Sequence, residues 1–279
     1  MLPATKQIST RAMPSIIERL LIRLLKATKT DLLPHAHVQI GVGHNTYQSG
    51  EEYILREVIK SVLKREPEII FDVGANVGEY AGQLAGYFPG AKIYCFEPLP
   101  NNYESLVHNT TGLNTTNILT AVGSGEGTLK LHIGEDNTNG QMATAHRESL
   151  ETVFSFVGKK IDTIEVPLTT LDIFCGNTIK RIDFLKIDVE GHEYEVLKGA
   201  ANLLKADKIS IIQFEFNEFN IFSRTFMFDF YQVLKNYTLY RVMPQNKIKP
   251  MGAYNSALEI FRYQNILAIH NSLDYAPAK

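Results

Sequence analysis

From Glu68 onward the chain alternates short apolar runs with stretches whose apolar positions recur every three or four residues. The runs are "EIIFDV", "AKIYCFEP", "TNILTAV", "IDFLKIDV" and "KISIIQFEF". The periodic stretches are "GEYAGQLAGYF", "NNYESLVHNT", 192–204 and 224–234. Continuous apolar runs are those of strands buried on both faces, and the intervening spacing is that of helices with one apolar stripe. This alternation predicts βαβ units and a doubly wound, mostly parallel sheet covered on both sides. Further strands are expected near "TLYRVM" and "EIFRYQNILAI".

Two regions break the rhythm. Between Thr128 and Asp172, "TLKLHI" and "TIEVPLTTLD" read as an inserted hairpin around a polar stretch, 134–160. Its Asn137, Asn139, Gln141, His146 and Arg147 are carbohydrate-compatible donors and acceptors, and a lid over a substrate is expected there. A solvated insertion is the competing reading. Upstream, Tyr53, Ile54, Val58, Val62 and Leu63 form the stripe of a helix over 51–64. Before it lies a basic amphipathic helix starting near Pro14, carrying Lys6, Arg11, Arg19, Arg23, Lys26 and Lys29 against Glu18. Packing on the main domain or on a second copy in a homo-oligomer is expected, with peripheral membrane contact or a cleaved targeting segment as alternatives. The organisation expected is an N-terminal helical extension, 1–66, and one α/β domain, 67–279.

Composition narrows the partners. With 44% hydrophobic and 21% charged residues and a net charge of −2, the chain offers no electrostatic reason to bind nucleic acid. Cys95 and Cys175 suggest neither a disulfide framework nor a metal site. No run has transmembrane length and no secretory pattern opens the chain, so a cytoplasmic enzyme is expected.

Three predicted strand ends carry polar groups where open parallel sheets bind ligands. The first, Asp72-Val73-Gly74-Ala75-Asn76-Val77-Gly78, is a glycine turn into a helix whose free N–H groups face a ligand. The second is Glu97, placed to accept hydrogen bonds from both hydroxyls of a ribose. The third is "KIDVEGHE". The dinucleotide fingerprint needs bare backbone where this turn has Ala75 or Asn76. D-x-G-x-N-x-G suits instead a ribose ligand without phosphate and with an amino-acid end, such as S-adenosylmethionine. A nicotinamide-dependent oxidoreductase is thereby disfavoured.

"FDVGANVGEY", "FEPLPNNYESLVHN", "VPLTTLD" and "DFLKIDVEGHEYEVLKGA" resemble, in order and spacing, the FkbM family of S-adenosylmethionine-dependent methyltransferases. The resemblance covers 69–216, with a looser echo in "RYQNILAI". It implies a class I methyltransferase (Rossmann-like) sheet of seven strands, the last antiparallel. It also implies O-methylation of a hydroxyl on a sugar, glycan or polyketide-type small molecule. By position it places Asp72, Gly74, Asn76 and Gly78 around the methionine end of the donor, Glu97 on its ribose, and Ala121, Val122 and Ser124 beside its adenine.

Methyl transfer to an alcohol needs alignment, exclusion of water and a group to take the hydroxyl proton. His192 has the intrinsic pKa of a base, and Asp188 and Glu215 are candidates to orient or deprotonate the acceptor. Glu190 and Asn217 are candidate acceptor contacts. The bland readings are a helix-capping Asp188, a first-turn Glu190 and an exposed His192. Asp188, Glu215 and Asn217 could also serve magnesium, although nothing in the motifs demands a metal. A catalytically silent protein that keeps the donor pocket is the remaining alternative.

Overall fold

The computed structural model describes residues 37, 41–42, 50–134, 143–153 and 160–275. The expected basic helix, with Asn137, Asn139 and Gln141 of the expected lid, lies outside them. In chain order the strands are β1 (Ile69–Val73), β2 (Lys92–Phe96), β3 (Thr115–Ile118), β4 (Ala121–Val122), β5 (Gly127–Gly134) and β6 (Ala143–Thr144). They continue with β7 (Ile161–Thr169), β8 (Ile182–Ile187), β9 (Ile209–Phe216), β10 (Tyr237–Met243), β11 (Lys247–Pro250) and β12 (Gln264–His270). The helices are α1 (51–63), α2 (Glu79–Tyr87), α3 (Pro100–Asn109), α4 (Arg147–Val153) and α5 (Leu171–Cys175). After them come α6 (Glu193–Lys198), α7 (Ala201–Lys205), α8 (Phe219–Phe222) and α9 (Met227–Val233).

The main sheet runs β11-β10-β12-β9-β8-β1-β2-β3. Strands β1, β2, β3, β8 and β9 are parallel, and β12 inserts antiparallel between β9 and β10. The antiparallel last strand matches the expectation, but the sheet has eight strands rather than seven. The extra one, β11, pairs antiparallel with β10 after a turn in which Gln245 and Asn246 take φ of 64° and 58°. No glycine announces that hairpin, which is why the sequence reading passes over it.

Two apolar layers enclose the sheet. Phe71, Leu185, Ile187, Ile212 and Phe214 face one side, packed with Leu171, Val196, Leu203 and Phe230 from α5, α6, α7 and α9. Ile70, Phe184, Ile211, Leu267 and Ile269 face the other, packed with α1 and with Leu84 of α2. A π turn, Ile54–Val58, widens the buried stripe of α1 to Ile54, Leu55, Val58, Ile59 and Val62.

Two expected elements are split. "TNILTAV" divides because Thr120 turns the chain out of the main sheet, its hydroxyl donating to the Pro167 carbonyl at 3.0 Å. Strand β4 then joins a second sheet, β4-β7-β5-β6. That sheet contains the expected hairpin, β5 against β7 from Gly127↔Leu168 to Gly134↔Ile161. The helix over 192–204 breaks at Gly199, where a Cβ would stand 1.9 Å from the Gly123 carbonyl oxygen. The Asp172 carboxylate restarts it by accepting the N–H groups of Asn202 and Leu203 at 2.8 and 3.0 Å. Among the described residues no helix is long and apolar enough to cross a membrane.

Candidate active site

The carboxyl ends of β1, β2 and β8 converge on a cleft of about 800 Å³, open at its mouth. The turn after β1 forms its floor. Gly74 has φ 87°, and a Cβ there would sit 1.9 Å from the Asp188 carbonyl oxygen, so only glycine lets β1 and β8 approach this closely. The Gly74 and Ala75 N–H groups both donate to the Phe96 carbonyl, at 2.9 and 3.0 Å. Asn76 is left-handed, φ 49°, and Gly78, φ 89°, leads into α2.

Glu97 ties this turn to its neighbour. Its Oε2 accepts the Asn76 N–H at 2.9 Å, and its Oε1 accepts the Leu99 N–H at 2.9 Å and the Asn102 side-chain amide at 3.4 Å. Burial raises its pKa against the opposing effect of these bonds. Ala121 and Val122 form a second wall, and Leu129, Leu131 and Ala143 of the second sheet, with Ala145 just beyond β6, roof the cleft. Two buried acceptors in the turn, Asp72 Oδ2 and Asn76 Oδ1, have no hydrogen-bond partner. Burial pushes the Asp72 carboxyl up to about 7, with the nearby Lys186 ammonium opposing it.

At the far end stand Asp188, Glu190 and His192. Glu190 and Gly191 are successive left-handed residues, φ 51° and 97°. Their turn is held by the Glu193 carboxylate, which accepts the Val189 and Gly191 N–H groups at 3.2 and 3.1 Å. The Thr144 hydroxyl donates to the Glu190 carbonyl at 2.9 Å. Beside them Glu215 is buried at 7% exposure, with the Asn217 amide 3.4 Å from its Oε2. Burial, with Asp188 next, holds both Glu190 and Glu215 well above the ordinary carboxylate range, and Glu190 adds to the effect on Glu215.

The structure therefore brings Asp188, Glu190, Glu215 and Asn217 together, with His192 lining the same cleft as Asp188 and Glu190. The His192 ring lies against Gly123, where an added Cβ would meet its Nε2 at 2.8 Å. Burial pushes the imidazole down to about 4, and the charges acting on it are Glu195, His146 and Lys198. Ser124 does not line the cleft: it stands two residues beyond the end of β4, and its exposed hydroxyl donates to Glu195 at 2.5 Å. Asp72 and Gly78 support the floor without lining the cavity. Of the expected lid, His146 is half-buried and Arg147 begins α4, paired with Glu151 at 3.4 Å on the surface.

The sequence reading misses the apolar roof and the polar partners of the acids, namely Lys186, Glu51, Gln213 and Asn265. Lys186 and Gln213 do carry a signal, since each is a polar residue flanked on both sides by apolar ones inside a fully buried strand. Among the described residues no group of three or more His, Cys, Asp or Glu is arranged to hold a metal ion.

The family model described as "Methyltransferase FkbM domain" matches residues 72–241. The hexuronic acid methyltransferase AglP of Haloferax volcanii is 27% identical over 167 residues, 59% of this chain and 62% of that protein. The 2-O-methyltransferase NoeI of Sinorhizobium fredii is 25% identical over 152 residues, 52% of this chain and 63% of that protein. The chain thus spans about three fifths of the length of these relatives. The crystal structure of a methyltransferase FkbM from Methylobacillus flagellatus aligns with a TM-score of 0.47 and 14% identity, covering 81% of this chain and 48% of that one.

Proposed function

The chain belongs to the FkbM methyltransferase family, and from that premise we propose that it transfers a methyl group from S-adenosylmethionine to a hydroxyl of a sugar, glycan or polyketide-type acceptor. The observation that carries this reading is the turn after β1. Its Asn76 lines the cleft with Oδ1 a buried acceptor without a partner, and Asp72 Oδ2 is a second such acceptor in the floor behind it. An unsatisfied buried acceptor is expensive unless a ligand completes it, and an amino-acid ammonium is the complement of such an oxygen with a carboxyl group behind it. The residues present therefore fit the donor. The fit is poorer for a dinucleotide, whose diphosphate would meet the Asn76 side chain and the Glu97 carboxylate.

When bound, the donor supplies a methyl group already activated by its sulfonium. Asn76 would take its amino-acid end with Asp72 in the floor behind it, Glu97 its ribose, and Ala121 and Val122 would flank its adenine. The roof residues Leu129, Leu131, Ala143 and Ala145 exclude water from the reacting line. The acceptor hydroxyl then meets the acids at the ends of β8 and β9. Asp188 and Glu190, which line the cleft, meet it, Glu215 and Asn217 stand buried behind them, and a carboxylate of this group takes the proton. His192, neutral and turned toward Gly123, borders the donor. A hydroxylated carbohydrate is favoured as acceptor because the relatives include a hexuronic acid methyltransferase and a 2-O-methyltransferase.

Isothermal calorimetry with S-adenosylmethionine, its demethylated product and NADH tests the donor, and transfer of labelled methyl onto a glycan panel tests the reaction. Heat with the first two ligands and label on a hydroxylated acceptor are expected. Heat with NADH alone would overturn the reading; donor binding without transfer to any acceptor would leave a silent binding protein.

A further inference from the structure

On the sheet face beneath α1 and α2, rows of cross-strand neighbours change character toward the carboxyl edge. Ile70, Phe184 and Ile211 form an apolar row. Two residues on, the row reads Asp72, Lys186 and Gln213. Beyond it Asp188 follows Lys186, and Glu215 pairs with Asn265. Residues two apart on a strand share a face, and neighbouring strands lie roughly 5 Å apart, so these side chains form one polar wedge under the helices.

The helices close the wedge with charge. Glu51 of α1 accepts the Gln213 amide at 2.9 Å and lies 3.6 Å from the Lys186 ammonium. Tyr80 of α2 turns its ring toward the same ammonium at 5.4 Å. Lys186, 2% exposed, bonds Asp188 Oδ2 at 3.0 Å. One ammonium therefore touches Asp188 and Glu51, stands across from Asp72 in register, and lowers the proton affinity of Glu190 and Glu215 at the ends of β8 and β9. The Glu193 charge acts in turn on Glu190, that of Glu97 on Asp72, and that of Glu215 on the Tyr263 hydroxyl. Such a set cannot be fully ionised out of water, so it retains protons. The wedge is also incompletely satisfied, because Gln213 Oε1 and Asp72 Oδ2 are buried without partners. It reaches solvent at Asp188 and Glu190, the two members that line the cleft.

Building on the methyl-transfer reading, we propose that Glu190 and Glu215 share a proton and together receive the acceptor's hydroxyl proton, and that Lys186 and Glu51 are opposed positioning residues setting the charge of this pair. The acceptor O–H bond breaks and its proton adds to the ionised member of the pair. The oxygen's electron pair forms the bond to the methyl group, and the electrons of the broken carbon–sulfur bond stay on sulfur. Charge balances: one carboxylate and one sulfonium are neutralised together.

The two positioning residues make the test one of sign. Lys186→Met removes a cation and should raise the midpoint at which the pair ionises. Glu51→Gln removes an anion, keeps an acceptor for Gln213, and should lower it. Each change is expected to be about tenfold in proton affinity, read by carboxyl-carbon NMR titration of protein labelled at Asp and Glu and, independently, by the pH dependence of kcat. Opposed displacements in both readouts, with the donor's KM little altered, support the proposal. Displacements of the same sign, or an unmoved titration in Glu51→Gln, overturn it even if Lys186→Met fails to fold. Opposed NMR shifts with an unmoved kcat profile overturn the catalytic role. The titration needs no turnover, so absence of methyl transfer counts against the methyltransferase reading, while the charge array is judged separately.

Discussion

Replacing Asp72 by asparagine removes a charge and almost no volume, so its effect reports electrostatics. The wild-type carboxyl is raised from 3.8 to about 7, chiefly by burial. The folded state thus holds this proton more tightly than the unfolded chain does. Below pH 4 both states are protonated and the stabilising contribution is complete. As pH rises toward 7 the unfolded chain ionises while the fold resists, and stability falls. Above 7 the folded protein carries a buried carboxylate at a disadvantage of about 4 kcal/mol, taking about 1.4 kcal/mol per pH unit. Asparagine does not titrate, so Asp72→Asn should gain on wild type progressively from pH 4 to pH 7 and level off by pH 8. Urea unfolding at pH 5, 6, 7 and 8, compared at equal m, measures the difference. A constant difference across this range, or one that shrinks as pH rises, would refute the assignment of Asp72 as a carboxyl strained by burial. The same variant should bind S-adenosylmethionine about tenfold more weakly at pH 8, since the negative charge beneath the proposed ammonium site is lost. Gain in stability paired with loss of binding is the signature of a strained functional group.

Other substitutions probe the remaining parts. Gly74→Ala places a Cβ against the Asp188 carbonyl at a φ of 87° and should cost about 3–5 kcal/mol in urea, combining left-handed strain with a broken β1–β8 contact; a loss under about 1 kcal/mol would show that the turn relaxes freely. Glu97→Ala leaves the Asn76 and Leu99 N–H groups unsatisfied and should lower donor affinity by about a hundredfold in calorimetry, more than Glu97→Gln, which keeps one acceptor. Equal affinities for the two variants would remove Glu97 from the donor site. His192, pushed down to about 4, is already neutral through physiological pH. His192→Ala should therefore leave the pH dependence of kcat between 6 and 8 unmoved, and disappearance of a limb in that range would make histidine the base instead of a carboxylate.

Local pattern made the α/β class legible, along with the glycine turn after β1 and the acid that follows β2. A buried strand shows itself in consecutive residues, and a glycine turn shows itself within seven. Asp72, Gly74, Asn76 and Glu97 needed no tertiary knowledge to be singled out, because strand ends in parallel sheets all open on one edge. The eighth strand escaped notice because Gln245 and Asn246 adopt left-handed conformations that glycine usually marks. Nothing local shows that Thr120 diverts the chain into another sheet, or that the Ser124 side chain turns to Glu195.

What the chain alone determined, then, is which segments are strands and helices and which polar groups crown them, since burial periodicity and turn chemistry are written between near neighbours. The tertiary structure decided which of those groups meet. Register aligns Asp72, Lys186 and Gln213 in one row, α1 carries Glu51 onto it, and the His192 ring comes to lie against Gly123. Those contacts depend on strand pairing and helix docking between residues far apart in the chain, and the low-dielectric space they enclose gives the same carboxyl groups a proton affinity that no local sequence could assign.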